Sequence, residues 1–284
     1  MTAVTSSSGE QSLVLFLHIP KTGGTTMWGI ARRFFESHAI RVMTGDTEAD
    51  DRTIQQLLTT SDHGYRFIGG HFLMGVQDVA TRPYRSFTFL RDPADRAISD
   101  YYRIVRQPKN LLHETFVEEQ VSLEEGLRRM QCNIHTRYLS GTAGLDGECT
   151  ADDLARAKQN LVTRFDVVGL LEHFDESLLL LMRAFGWPMP YYRKRNVGSN
   201  RPDVLPDQMY ELATELNALD VELYAYAQTL FEEQVERAGD TLRQDLQRLR
   251  LVNPLWQRWA TLKGLPKQLR QTIRSVRHDA QQQA

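Results

Sequence analysis

The sequence predicts an α/β fold: a single three-layer domain with a mostly parallel central sheet flanked by helices, followed by a helical C-terminal extension. Three observations point there. Short β-rich runs at residues 13–17, 65–72, 85–90 and 165–170 alternate with stretches of helical periodicity. The first run passes through a glycine-containing loop into an amphipathic helix, as in a nucleotide-binding α/β unit. The 284 residues with 41% hydrophobic content supply a core of ordinary size.

The elements follow in order. Residues 1–11 are polar and Ser-rich, an expected disordered lead; the domain is placed at 12–239 and the extension at 240–284. Leu13 to Leu17 is apolar throughout and reads as a buried strand. A helix starts near Thr25, because Met27, Ile30, Ala31 and Phe34 recur at helical spacing. Residues 44–51 read as an acidic linker and 54–58 as a short helix. Residues 65–72 form a strand that ends in Gly69-Gly70-His71.

Residues 85–90 alternate and are aromatic-rich, so they form a strand. It runs into Arg91-Asp92-Pro93, where Asp92 suits an N-cap and Pro93 a first helical turn. Ala97, Ile98, Tyr101, Ile104 and Val105 then share one helical face. Helices are expected at 123–130, 134–139 and 152–162, a strand at 165–170, and an apolar helix at 177–185 ended by Gly186 and Pro188. A basic loop covers 191–202, and 207–234 forms one or two helices.

In the extension, Trp256, Trp259, Leu262, Leu265, Leu269, Ile273 and Val276 recur every three or four residues with Arg and Lys between; Gly264 and Pro266 interrupt them. A hairpin packed on the domain, a surface for a membrane or anionic partner, and disorder all remain open readings.

Formal net charge is −2, which argues against a general nucleic-acid binder. The charge is uneven: residues 241–284 hold nine Lys/Arg against two Asp/Glu. Cys132 and Cys149 make no disulfide framework and read as thiols in a reducing compartment. The opening residues lack a basic region followed by an apolar one, and no membrane span is present. The expected location is therefore cytoplasmic, with peripheral membrane contact as a variant.

Three constellations carry chemistry. In Ile19-Pro20-Lys21-Thr22-Gly23-Gly24-Thr25-Thr26, glycines permit a tight turn, a helix N-terminus offers amides, three threonines add hydroxyls and Lys21 adds charge. That suits a phosphate or sulfate. Lys21 precedes the glycines, so this is not the Walker pattern. Arg91, at a strand end, and Ser99, two turns into the next helix, can grip one phosphate from two directions. His71 follows a strand end and can take a proton from an alcohol. His18, His113, His135 and His173 are weaker candidates. No zinc signature and no G-x-S-x-G elbow occurs.

The lysine-first loop and the Arg91–Ser99 spacing resemble the 5′-phosphosulfate and 3′-phosphate motifs of sulfotransferases that use 3′-phosphoadenosine 5′-phosphosulfate (PAPS). The Gly-His pair is similar to that of the carbohydrate group containing the heparan sulfate 2-O enzymes (sulfotransferase family 2). Residues 132–141, 165–177 and 196–202 resemble later segments of that group, and the likeness covers about 13–235.

The resemblance implies a P-loop-like domain that moves a sulfuryl group to an acceptor hydroxyl on a glycan or glycoconjugate, without a metal. It implies His71 as base and Lys21 at the leaving oxygen. Lys21, Thr22, Gly23, Gly24, Thr25 and Thr26 would hold the 5′-phosphate, Arg91 and Ser99 the 3′-phosphate, and adenosine 3′,5′-bisphosphate (PAP) would be the product. Arg193, Lys194 and Arg195 with Tyr191 and Tyr192 could meet the glycan, or be a solvated loop. A P-loop kinase using ATP, and a non-catalytic nucleotide- or glycan-binding module, are the rival readings.

Overall fold

The computed structural model describes residues 12–43, 47–60, 64–141, 147–193, 202 and 204–264. The lead at 1–11 and the extension beyond 264 lie outside these residues. In chain order the elements are β1 (Leu13–Leu17), α1 (Gly24–Phe34), β2 (Ile40–Met43), α2 (Thr47–Thr59), β3 (Phe67–Gly70), β4 (Tyr84–Leu90) and α3 (Pro93–Arg106). Then come α4 (His113–Glu118), α5 (Leu123–Arg129), α6 (Ile134–Ser140), α7 (Ala151–Thr163), β5 (Val167–Leu170), α8 (Phe174–Phe185), α9 (Asp207–Leu216) and α10 (Ala218–Gly264).

The five strands form one sheet in the order β2-β3-β1-β4-β5, and every pairing is parallel. β1, β3 and β5 are buried at every residue, as strands covered on both faces must be, which explains their unbroken apolar runs. Aromatic rings fill the space between sheet and helices; Phe16 and Phe87 stack with centroids 4.6 Å apart. A second cluster lies where α3 meets α4, α5 and α9, built on Ile98, Tyr101, Phe116, Leu127 and Leu212. α3 is thus packed on one side by the sheet layer and on another by helices.

The structure differs from expectation at three places. β2 was not predicted: it has four residues at the sheet edge, only Met43 is buried, and so it shows no apolar run. α2 begins at Thr47, so much of the supposed acidic linker is helix; its acidic residues lie in the first turns, where the helix dipole favours them. The helices after 207 do not stop at 234, because α10 continues to Gly264.

α10 bends at Gly239, whose φ of 63° and ψ of −157° are non-helical and need a glycine. Beyond the bend it docks on the domain. Arg183 of α8 reaches the Ala238 carbonyl, Thr241 and Asp245. Arg250 pairs with Glu176 at 2.9 Å, and the Asn253 side-chain oxygen accepts the Tyr192 amide at 2.8 Å. The Arg33 guanidinium of α1 lies 4.2 Å over the Trp256 ring.

Candidate active site

The sheet order positions the site. From β1 the chain turns toward β2; from β4 it turns the other way, toward β5. Crossovers that diverge leave a crevice at the carboxyl ends of β1 and β4, the place where open α/β sheets bind ligands. The register levels these ends: Leu17 pairs with Gly70 and with Thr88, and Leu90 with Leu170. His71 therefore leaves β3 level with the end of β1, and Arg91 leaves the adjacent β4 two residues further along.

The loop after β1 is tightly set. Lys21 has a φ of 72° and Gly23 one of 91°, two left-handed residues in three. Glycine takes that conformation freely; for lysine it costs about 1–2 kcal/mol, a strain of the kind found at functional sites. Gly23 is the N-cap of α1 and has no side chain to cap it. Its carbonyl accepts the amides of Thr26 and Met27. With no side-chain cap, this positive end of the helix dipole suits an anion. Thr22 is fully buried, and its hydroxyl donates to the Ile19 carbonyl at 2.8 Å. That hydroxyl serves the loop. Thr25 is exposed and Thr26 half-buried.

Lys21 is half-buried. Burial pulls its pKa down to about 8; nearby Asp100 opposes this, and Arg103, Arg106 and Arg91 add to it. Desolvation wins, yet at pH 7 a pKa near 8 still leaves roughly nine in ten ammonium groups protonated.

His71 is fixed by the loop it faces. Its Nδ1 lies 2.7 Å from the His18 carbonyl oxygen. A carbonyl only accepts, so Nδ1 carries the hydrogen and Nε2 the lone pair. The His18 ring stacks on the His71 ring with centroids 4.6 Å apart. His18 is half-buried with its Nδ1 enclosed, and its pKa lies far below the ordinary value through desolvation and the nearby His71 and Lys21. The His71 pKa is lowered as well, chiefly by burial. Both rings are neutral near pH 7. Gly24 makes the stack fit: a Cβ there would lie 2.0 Å from His18 Nε2.

Arg91 projects from the end of β4 toward the loop. Its guanidinium touches the Lys21 carbonyl at 3.4 Å and Asp95 at 3.3 Å, both long contacts. Asp92 caps α3 as expected, accepting the Asp95 amide at 2.9 Å, with Pro93 in the first turn. Ser99 is half-buried two turns along. Four residues past Ser99 on the same helical face is Arg103, held by Asp100 at 2.7 Å. Asp100 and Arg103 act electrostatically on both Lys21 and His71. The sequence reading missed these two; Arg103, one turn from Ser99, was the available signal.

Other candidates go elsewhere. His113 Nδ1 meets the Ile104 carbonyl at 2.8 Å, and His173 starts α8 beside Phe231. His135 is fully buried at α6, its pKa pulled down to about 4 by burial. Asp220, also fully buried, accepts the amides of His135 and Thr136 and the Thr136 hydroxyl. The 133–141 segment is thus a structural lock. It buttresses the His71 loop, since the Tyr138 carbonyl accepts the Met74 amide.

Tyr191 and Tyr192 both make contacts within the domain. Tyr191 stacks on Trp256, while the Tyr192 hydroxyl donates to Asp175 at 2.8 Å. Arg193 is exposed; Lys194, Arg195 and residues 196–201 lie outside the described residues.

The galactose-3-O-sulfotransferase family model matches residues 2–262. The chain belongs to the galactose-3-O-sulfotransferase family. Galactose-3-O-sulfotransferase 3 of Mus musculus is 27% identical over 261 residues, which cover 80% of this chain and 58% of that protein. Galactosylceramide sulfotransferase of Mus musculus is 26% identical over 262 residues, covering 84% and 62%. This family member thus spans less than two thirds of the length of the curated relatives it matches. A solved mouse sulfotransferase complexed with PAP aligns over 89% of each chain at 13% identity and a TM-score of 0.34.

The likeness of the two nucleotide motifs to sulfotransferases holds at the level of the class; the family that matches is the galactose 3-O group rather than the heparan sulfate 2-O group. The cytoplasmic expectation is corrected by the same matches, because these relatives are Golgi membrane enzymes. Two thiols and an unremarkable N-terminus were too weak a basis for it. Among the described residues no helix is long and apolar enough to cross a membrane.

Proposed function

We propose that this chain is a carbohydrate sulfotransferase that moves a sulfuryl group from PAPS to a hydroxyl of a galactose-containing glycan or glycolipid. One observation carries the proposal: His71 is held by the His18 carbonyl with Nε2 free to act as a base, beside a cationic helix N-terminus on the neighbouring strand. The named relatives, galactose-3-O-sulfotransferase 3 and galactosylceramide sulfotransferase, support galactose as the acceptor sugar.

The donor set fits such a nucleotide. Two anionic groups need two cationic grips. The uncapped end of α1 with Lys21 offers one, and Arg91 with Ser99 offers the other. Amides of the loop, Gly23 and Gly24, with Thr25 and Thr26, would hold the 5′-phosphate. PAPS supplies the electrophilic sulfur and a stable leaving group. His71 Nε2 takes the acceptor O–H proton as that oxygen bonds to sulfur. Lys21 offsets the charge left on the phosphate oxygen as the S–O bond breaks, releasing PAP. The chain's own contribution is positioning and electrostatics.

The test is calorimetric titration with PAP beside ADP and ATP, then transfer to a panel of terminal galactosides and heparan-type oligosaccharides. Binding that requires the 3′-phosphate, followed by transfer to galactose, is the expected result. ATP preference with a magnesium requirement moves the chain to the kinase reading. Transfer to the heparan-type oligosaccharides alone removes galactose as acceptor.

A further inference from the structure

We infer that the outward face of α10 beyond the Gly239 bend is a contact surface for an anionic lipid bilayer. The inference is independent of the acceptor assigned above. On this stretch the inward face is satisfied: Leu242 and Leu249 are buried in the core, and Asn253 and Trp256 hold the 191–192 loop and Arg33. The opposite face is apolar and open to solvent. Leu251, Leu255 and Trp259, each four residues apart, are 74%, 62% and 51% exposed. A soluble helix normally places polar residues there.

Charge decides what covers this stripe. Arg248 stands one turn before Leu251 and Arg258 one turn after Leu255, so both border it. Both are exposed, and no ion pair to either is recorded among the described residues. Neighbouring arginines on the same helix do have partners, Asp240 for Arg243 and Glu176 for Arg250. The residues after Gly264 are also basic: four Lys/Arg and one acid over 265–284. Covering the stripe with that segment, or with the same face of a second copy, would set like charge on like. An apolar stripe with a tryptophan and a basic border complements the interface of a negatively charged membrane, where rings sit at headgroup depth and each basic residue near the surface adds attraction. Such contact is interfacial, along the helix, with no span required.

The experiment is flotation of the full-length chain with vesicles of phosphatidylcholine alone and of phosphatidylcholine containing one-third phosphatidylserine. The chain should float with the acidic vesicles and remain below with the neutral ones, and raised salt should release it. The triple variant Leu251→Gln, Leu255→Gln, Trp259→Gln should bind roughly tenfold or more weakly. Its melting temperature should fall by no more than a few degrees, since more than half of the surface of each of the three residues is exposed. Two results overturn the inference: absence of flotation with acidic vesicles, or equal flotation of the triple variant. A third is a dimer of the parent chain that becomes monomeric in the variant without any vesicle binding, which assigns the face to a second copy.

Discussion

His71 can serve as a base only while Nε2 is unprotonated: the His18 carbonyl at Nδ1 fixes the tautomer, and burial, which outweighs that carbonyl's pull toward the protonated ring, lowers the pKa. His71→Ala should lower turnover by about 10²–10⁴-fold, the usual share of a general base, with PAP affinity kept; undiminished turnover at saturating donor removes the assignment. The pH profile follows from two lowered pKa values. His71 must be neutral, so activity should fall only on the acid side of 6.5; Lys21 must be charged, so it should fall again as pH rises through about 8. In Lys21→Arg the alkaline limb should disappear, because arginine stays protonated there. A limb that survives this change belongs to another group. Gly24→Ala tests the stack itself: the added methyl overlaps the His18 ring, which should cost about 1–3 kcal/mol of stability and lower turnover through a displaced His71.

At the scale of elements, α3 does two jobs. Its buried face ties the sheet layer to the helical cluster through Ile98 and Tyr101, whose hydroxyl donates to the Val121 carbonyl at 2.7 Å. Its other side carries Asp100 and Arg103, whose charges act on Lys21. Arg91 at the preceding strand end should be the larger grip on a 3′-phosphate. Arg91→Ala should weaken PAP by about 1.5–3 kcal/mol while leaving ADP nearly unchanged, readable by calorimetry. α6 shows how the site is supported from behind. Asp220 of α10 accepts three hydrogen bonds at the start of α6, with every partner buried. Asp220→Ala strands those donors and should cost about 3–5 kcal/mol in denaturant unfolding. A loss below 1 kcal/mol would mean that water reaches this joint.

For the whole molecule, the question is whether the last part of α10 belongs to the domain. Its contacts reach α8 through Arg183 and Arg250, α1 through Trp256, and the 191–192 loop through Asn253. A chain ending at 239 loses all of them. It should unfold at a lower temperature than the full chain, which itself should show one cooperative transition. Two separate transitions in the full chain would make the extension an independent unit.

Much of the site was legible because its determinants are local. A glycine pair, a lysine before it, an arginine eight residues from a serine and a histidine after a strand are relations along the chain. The buried strands announced themselves as apolar runs, and Asp92-Pro93 announced a helix start. β2 stayed hidden because an edge strand of four residues needs little apolar burial. The Tyr191–Tyr192 pair stayed open between a glycan contact and a solvated loop, because its partners, Asp175, Asn253 and Trp256, come from distant segments. The sequence alone determined the parallel α/β architecture, through strand–helix alternation, and the sulfotransferase class, through motifs that resemble that class. Only the tertiary structure decided the tautomer of His71, the counter-charges around Lys21 and the face that α10 leaves open. Those depend on which distant groups the sheet order brings within hydrogen-bond or Coulomb range.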